Sequence, residues 1–194
     1  MDKVNLRNLG DLMTLVRDIR TLGKQRGIGL HASPEWDYPI FYAISRMYHP
    51  TVIIESGTNI GLSAVTWAFG SGAQVHTWDV RDFDIKAETY TDIEKQIHRY
   101  LGGFESADDN LLSSFVHKKL VFIDGSHTEQ GVLQDYHKIK PYLYCDDILV
   151  FHDTRKKGVK NALEHIKSDL KYQKRVVFDT ISGINMFVVS HNVA

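Results

Sequence analysis

The chain has 194 residues, of which 43% are hydrophobic and 24% are charged, and its formal net charge is −1. This size and composition are typical of one globular domain with its own core. The near-zero charge argues against recruitment by nucleic acid or by an anionic membrane surface. The single cysteine, Cys145, excludes an intrachain disulfide and argues against a cysteine-based zinc site.

We therefore predict one domain over residues 1–194, in which residues 1–50 form an N-terminal helical cap. No signal-peptide pattern opens the chain, and no apolar stretch approaches the roughly 20 residues that cross a bilayer. We expect a cytoplasmic protein with no membrane partner.

Apolar residues at helical spacing predict a first helix over 11–22, and Pro39 suits the first turn of a second helix. Apolar runs then alternate with helical patterns. The predicted strands are 52–55, 74–79, 98–101, 120–124, 148–153, 175–178 and 184–189. The predicted helices between them are 62–69, 85–96, 129–142 and one that carries Val159, Ala162, Leu163, Ile166 and Leu170 on one face.

This alternation predicts an α/β fold in which a parallel sheet of five strands has helices on both faces. The last two strands are separated by only a few residues, which is too short for a crossover connection. They are therefore predicted to form a C-terminal antiparallel hairpin at the edge of the sheet.

Two aspartates, Asp124 and Asp153, each close a short apolar run. Ligands of an open parallel sheet bind at the carboxyl ends of its strands, so we expect both carboxylates at that edge. Such a pair indicates either a site for a hard cation or an acid–base pair.

The turn after the first predicted strand contains two glycines. Gly57 allows a ligand to approach the backbone closely, and Gly61 lets the next helix pack tightly on the strand. Asp79, at the end of the second strand, can accept both hydroxyls of a ribose. Together they predict nucleoside binding. Asn59 stands where a dinucleotide fold would have its second glycine, which argues against a nicotinamide-dependent dehydrogenase.

These motifs resemble those of the class I S-adenosylmethionine-dependent methyltransferases, in particular the small-molecule O-methyltransferase branch with a catechol-type metal site. Residues 55–63 are similar to the family's first motif, acid-x-Gly-x-x-x-Gly-x-Ser. Residues 122–127 and 151–154 are similar to its two metal motifs. The Asp-Gly-x-His form at residues 124–127 is especially similar to a subgroup linked to sugar and antibiotic-tailoring methylation. The resemblance implies a Rossmann-like class I methyltransferase fold over nearly the whole chain.

The resemblance also implies roles for individual residues. The cofactor S-adenosylmethionine would be bound by Glu55, Gly57, Thr58, Gly61, Ser63, Asp79, Glu105, Ser106 and Asp124. A divalent cation such as Mg²⁺ would be held by Asp124, Asp153, Thr154 and His152. His127 and Asp124 would be the catalytic residues.

The chain departs from the family pattern at two positions. Thr154 replaces the usual asparagine, and His127 stands where the family has a lysine base. The third metal ligand and the base therefore stay open, and His127 and His152 are candidates for either role. Asp124 could instead orient its own turn or bind the cofactor amine, and His152 could be a packed histidine.

The expected function is transfer of a methyl group from S-adenosylmethionine to a hydroxyl of a small molecule, a sugar or a phenol, assisted by a divalent metal. Two alternatives stay open: a non-catalytic cofactor-binding module and a metal-dependent hydrolase. The low charge argues against a nucleic-acid acceptor. Trp36, Tyr38 and Tyr42 could line an acceptor pocket or belong to the core. The edge hairpin leaves a homo-oligomer open.

Overall fold

The computed structural model describes residues 6–25, 34–82, 91–116 and 118–190. Within these ranges the helices are α1 (Leu9–Gln25), α2 (Asp37–Tyr48), α3 (Leu62–Ser71), α4 (Asp109–Ser114), α5 (Glu129–Ile139) and α6 (Lys157–Asp169). The strands are β1 (Val52–Ser56), β2 (Gln74–Asp79), β3 (Ile97–Leu101), β4 (Lys119–Ile123), β5 (Ile148–Phe151), β6 (Tyr172–Phe178) and β7 (Ile184–Val189). Short 3-10 turns occur at Glu94–Gln96, Phe104–Ser106 and Lys140–Tyr142.

The strands of the described chain form one sheet in the order β3-β2-β1-β4-β5-β7-β6. Strands β1 to β5 pair in parallel. Strand β7 pairs antiparallel with β5 on one side and with β6 on the other. The predicted fold class is confirmed: five parallel strands, an antiparallel hairpin at the edge, and helices on both faces.

The two faces of the sheet are covered by different helices. Successive residues of β1 point to opposite faces, as the period of two in a strand requires. Ile53 packs in the apolar layer that contains residues of α1, α2 and α3, whereas Ile54 packs in the layer that contains residues of α5 and α6. Both side chains are completely buried. No helix in the described ranges is both long and apolar enough to cross a membrane.

Several element boundaries differ from the predictions. The predicted helix 129–142 ends at Ile139 and continues as a 3-10 turn, because Pro141 has no N–H for the next helical hydrogen bond. The predicted helix 85–96 lies partly outside the described residues, and its described part holds only the turn Glu94–Gln96. Helix α4 was not predicted; the side chain of Asp108 caps it by accepting from Leu111 N at 2.8 Å.

The two aspartates that close apolar runs lie just beyond their strands. Strand β4 ends at Ile123 and β5 at Phe151, so Asp124 and Asp153 belong to the loops at the carboxyl edge. Asp153 has a left-handed backbone with φ of 54°, which ends the extended conformation there. Aspartate adopts this conformation more readily than most residues, and it turns the side chain away from the strand pleat.

Candidate active site

The glycine turn after β1 is held close to the loop after β4. Gly57 has φ of 97°, and its N–H donates to the carbonyl of Trp78 at 2.8 Å. A Cβ atom at Gly57 would lie 2.6 Å from the carbonyl oxygen of Asp124. Both the left-handed backbone and this close approach therefore require glycine at position 57.

Asp79 lies at the edge of a cavity at the carboxyl ends of the strands. Its two carboxylate oxygens accept backbone N–H groups of Asn59 at 2.9 Å and Arg81 at 3.0 Å, which fix its orientation. The cavity has a volume of about 440 Å³ and belongs to the size range of small-ligand sites. It is lined by Ser56, Gly57, Trp78, Asp79, Val80, Gly103, Phe104, Glu105, Gly125, Ser126, His127, Gly131, Gln134 and Asp135.

Two aromatic residues line this cavity: Trp78 of β2 and Phe104 of the turn after β3. The ring of Trp78 stacks on Tyr100 with a centroid distance of 4.5 Å and meets Phe104 edge to face at 5.3 Å. A flat, apolar wall next to a fixed carboxylate suits a nucleoside, which has a planar base and a polar sugar. A cleft of about 580 Å³ at the amino ends of β4 and β5 contains none of the predicted site residues.

Of the predicted cofactor-binding residues, Gly57, Asp79 and Glu105 line the cavity of about 440 Å³ at the carboxyl ends of the strands. Thr58 and Asp79 line an adjoining cavity of about 230 Å³. Gly61 precedes α3 in a left-handed conformation, and buried Ser63 lies in the first turn of that helix. The Ser106 hydroxyl donates to the carbonyl of Gly103 at 2.7 Å.

Glu55 is fully buried in β1, directly below the glycine turn. Neither of its carboxylate oxygens has a hydrogen-bond partner among the described residues. Burial raises the pKa of Glu55 to about 8, and the nearby hydroxyls of Ser63 and Thr77 offset this rise only in part. Near neutral pH this side chain is therefore mostly a neutral acid.

Replacing Glu55 with glutamine should stabilise the protein at alkaline pH. The raised pKa favours the folded state at low pH, and this stability is lost as the pH rises from about 4.5 through 8. Glutamine has no such proton to lose. Without cofactor, we expect Glu55→Gln and the wild type to melt within about 3 °C of each other near pH 5, and the variant to melt about 10 °C higher near pH 8.5 in scanning calorimetry. A gap that does not change with pH would contradict the buried neutral acid.

Asp124 and Asp153 meet at the same edge together with two histidines and a lysine. His127 Nε2 lies 2.7 Å from Asp153 Oδ2 and 3.7 Å from Asp124 Oδ1. His152 Nδ1 lies 3.0 Å from Asp124 Oδ1, and Lys156 Nζ lies 2.6 Å from Asp153 Oδ2. The two carboxylates are thus surrounded by groups that carry positive charge when protonated.

The charged groups of this cluster strongly shift one another's pKa values. Burial acts to raise the pKa of Asp124, but attraction to His152 and hydrogen bonds from both histidines outweigh it and hold the pKa below its usual value. The pKa of Asp153 is lowered in the same way, because His127 and Lys156 outweigh its burial. Hydrogen bonds to Asp124 and Asp153 raise the pKa of His127 to about 9. Both carboxylates are therefore ionised near neutral pH.

This cluster has the chemistry of a cation site. Ligand atoms of Asp124, His152 and Asp153 lie within 4.8 Å of one another. Two ionised carboxylates that lie close together suit Mg²⁺, which takes oxygen ligands and keeps several positions for water or substrate. The Thr154 hydroxyl lies toward the terminal hairpin, where it accepts from Asn185 Nδ2 at 3.1 Å.

The structure also brings residues to this edge that the sequence did not single out. Asp37 of α2 contacts His152, and Asp135 of α5 accepts a hydrogen bond of 2.5 Å from the Ser56 hydroxyl. Burial raises the pKa of Asp135 to about 6. Nothing in the sequence around either aspartate marks it. Of the three candidates for an acceptor pocket, Tyr38 is buried in the core, Tyr42 is partly buried against the core and Trp36 is largely exposed.

The fold and the site together define an α/β protein with a cavity that suits a nucleoside-type ligand, beside two acidic residues at the carboxyl edge of its sheet. A family model described as a methyltransferase domain matches residues 54–154, about half of the chain. The chain belongs to this methyltransferase family, and the predicted class of enzyme is confirmed. A search of curated protein sequences finds no significant match.

Solved structures share the fold at low sequence identity. An O-methyltransferase from Bacillus cereus in complex with SAH is 16% identical with a TM-score of 0.69, and the match covers 91% of each chain. A methyltransferase from Geobacter sulfurreducens is 11% identical with a TM-score of 0.67, over 91% of this chain and 89% of that one. MycE from the mycinamycin biosynthetic pathway, in complex with Mg, SAH and mycinamycin VI, is 15% identical with a TM-score of 0.63, over 93% of this chain and 55% of that one.

Proposed function

We propose that this protein is an S-adenosylmethionine-dependent O-methyltransferase that acts on a hydroxyl of a small molecule, with a divalent cation held by Asp124 and Asp153. The observation that carries this proposal is the close approach of the glycine turn to the acidic loop. A Cβ at Gly57 would lie 2.6 Å from the Asp124 carbonyl oxygen, so the nucleoside cavity and the carboxylate pair adjoin each other.

The residues at this edge have separate roles in methyl transfer. Bound S-adenosylmethionine supplies an electrophilic methyl group, and a bound divalent cation supplies the charge that acidifies an acceptor hydroxyl. Asp79 accepts the ribose hydroxyls, and the Trp78 wall packs against the base. Alignment of the two reactants supplies much of the rate enhancement, because correct positioning alone can contribute roughly 7–11 kcal/mol.

His127 is the group that we assign to proton transfer. Its pKa is raised because Asp124 and Asp153 attract the protonated ring. When the charge of these carboxylates is neutralised by a bound cation, the pKa of His127 should fall, and the ring can then accept a proton near neutral pH. Its Nε2 lies 2.7 Å from Asp153 Oδ2, so His127 is next to the carboxylates that would hold the cation.

The acceptor class rests on the motif and on a structure of similar fold. The Asp-Gly-x-His motif of residues 124–127 resembles the sugar- and antibiotic-tailoring subgroup. MycE, which shares the fold, was solved with Mg, SAH and the small molecule mycinamycin VI. We propose a sugar hydroxyl as the first acceptor to test and a catechol-like phenol as the second.

Titration calorimetry with S-adenosylhomocysteine, in Mg²⁺ and in EDTA, tests the cofactor assignment. We expect micromolar binding in both conditions, because none of the cavity contacts assigned to the nucleoside needs a cation. Turnover of a panel of sugars and phenols should then require Mg²⁺. Binding without transfer to any hydroxylated acceptor would indicate a non-catalytic module, and absence of binding would overturn the methyltransferase assignment and favour a metal-dependent hydrolase.

A further inference from the structure

His152 is held between two carboxylates from distant parts of the chain. Its Nδ1 lies 3.0 Å from Asp124 Oδ1, and its Nε2 lies 2.8 Å from Asp37 Oδ2. The side chain of His152 is 2% exposed and that of Asp37 is completely buried. Both ring nitrogens are thus used in contacts with acids, and neither is left free for a third partner.

This arrangement fixes the orientation of the ring. Each ring nitrogen lies within hydrogen-bond distance of one carboxylate oxygen, so the two contacts on opposite sides of the imidazole set its plane. The ring centroid also lies 5.6 Å from that of Phe41 and 6.1 Å from that of Phe122, so neighbouring aromatic rings pack around it. With its orientation fixed at the Asp37 end, His152 presents Nδ1 to Oδ1 of Asp124.

Asp37 reaches this position from the N-terminal part of the chain. It is the first residue of α2, and 115 positions separate it from His152. Phe41, one turn further along α2, packs against both Trp67 of α3 and Phe122 of β4, which anchors the helix on the sheet. Helix α2 therefore contributes a buried polar contact to the same edge that carries Asp124 and Asp153.

We propose that Asp37 is a positioning residue that acts through His152 to hold the carboxylate of Asp124 in the orientation that binds a divalent cation. This inference rests on the proposed function. It assigns His152 to orienting a ligand rather than to ligation. Residues that orient metal ligands in this way typically change metal affinity by about 10–100-fold when they are replaced.

The test measures binding of Mn²⁺ alone by electron paramagnetic resonance, and separately binding of S-adenosylhomocysteine. We expect Asp37→Asn to weaken Mn²⁺ binding at least about 10-fold while the affinity for S-adenosylhomocysteine stays within about twofold. A merely structural role would lower both affinities or neither. Ser45→Ala is the matched control, because Ser45 is also buried on α2 but its hydroxyl donates to the Tyr42 carbonyl of the same helix, and Mn²⁺ affinity should not change.

Unchanged Mn²⁺ affinity in Asp37→Asn would overturn this inference alone, provided that the wild type binds Mn²⁺ and Asp153→Asn does not. Failure of the wild type to bind Mn²⁺ would overturn the proposed cation as well. If Asp37→Asn does not fold, Asp37→Glu, which keeps the charge but lengthens the side chain, is measured in the same way. Its Mn²⁺ affinity should fall while its affinity for S-adenosylhomocysteine stays within about twofold, and unchanged Mn²⁺ affinity would overturn the inference.

Discussion

Changing Asp153 to asparagine is expected to lower turnover about a thousandfold or more while affinity for S-adenosylhomocysteine stays within about threefold. The substitution removes one of the two charges that would hold the cation, and a thousandfold loss corresponds to about 4 kcal/mol of transition-state stabilisation. Asparagine tolerates the left-handed backbone at this position, where φ is 54°, so the loop should keep its shape. Steady-state kinetics with a reactive acceptor and calorimetry with S-adenosylhomocysteine measure the two quantities.

The control for this variant is Asp179→Asn. Asp179 is an exposed carboxylate that pairs with Arg155 near the same loop but lies outside the acidic cluster. An exposed pair contributes little, so turnover should remain within about twofold of the wild type. Full activity of Asp153→Asn, or of the wild type in EDTA, would rule out assistance by a metal. Loss of cofactor binding in Asp153→Asn would instead assign this carboxylate to the cofactor.

Changing Gly57 to alanine should abolish cofactor binding and destabilise the fold. The new Cβ would meet backbone atoms of the loop after β4 at 2.6–2.8 Å, and backbone cannot give way as a flexible side chain can. The left-handed conformation adds about 1–2 kcal/mol of strain. We expect at least a hundredfold loss of affinity for S-adenosylhomocysteine and a melting temperature lower by about 8 °C or more.

Gly72→Ala separates the effect of backbone strain from the effect of the contact with the loop after β4. Gly72 has a similarly left-handed backbone, with φ of 75°, but a Cβ there would meet nothing within 4 Å. It ends α3 and lies away from the cavity. This variant should lose only the stability that the added backbone strain costs, and it should keep full cofactor affinity. Equal losses in Gly57→Ala and Gly72→Ala would show that conformation alone, and not the contact with the acidic loop, requires glycine at position 57.

The sequence contained enough information to predict the sheet and the acidic edge. The apolar runs that became β4 and β5 are local signals, and parallel pairing then brings the residues after them together without further detail. Asp124 and Asp153 could therefore be placed side by side before any geometry was known. The terminal hairpin was predictable for the same reason, because its short connection allows only one pairing direction.

The contacts that fix the site were not predictable in this way. The approach of Asp37 to His152 depends on how α2 packs against the sheet, and no local sequence pattern records a contact between residues 115 positions apart. The charged groups around His127 were not predictable either. The left-handed turn at Asp153 places the Asp153 carboxylate against both His127 and Lys156. Helix α4 escaped prediction because six residues are too few to show a helical period.

The place of β7 in the sheet has a consequence for the protein during its synthesis. All six of its residues are buried, and it lies between β5 and β6 although it is the last strand along the chain. A ribosome-bound chain that has emerged only as far as β6 has no strand to cover the open side of β5. Such an uncovered edge is a template for pairing with other nascent chains. The nascent chain therefore leaves the edge of β5 open to pairing until residue 189 has emerged and β7 covers it.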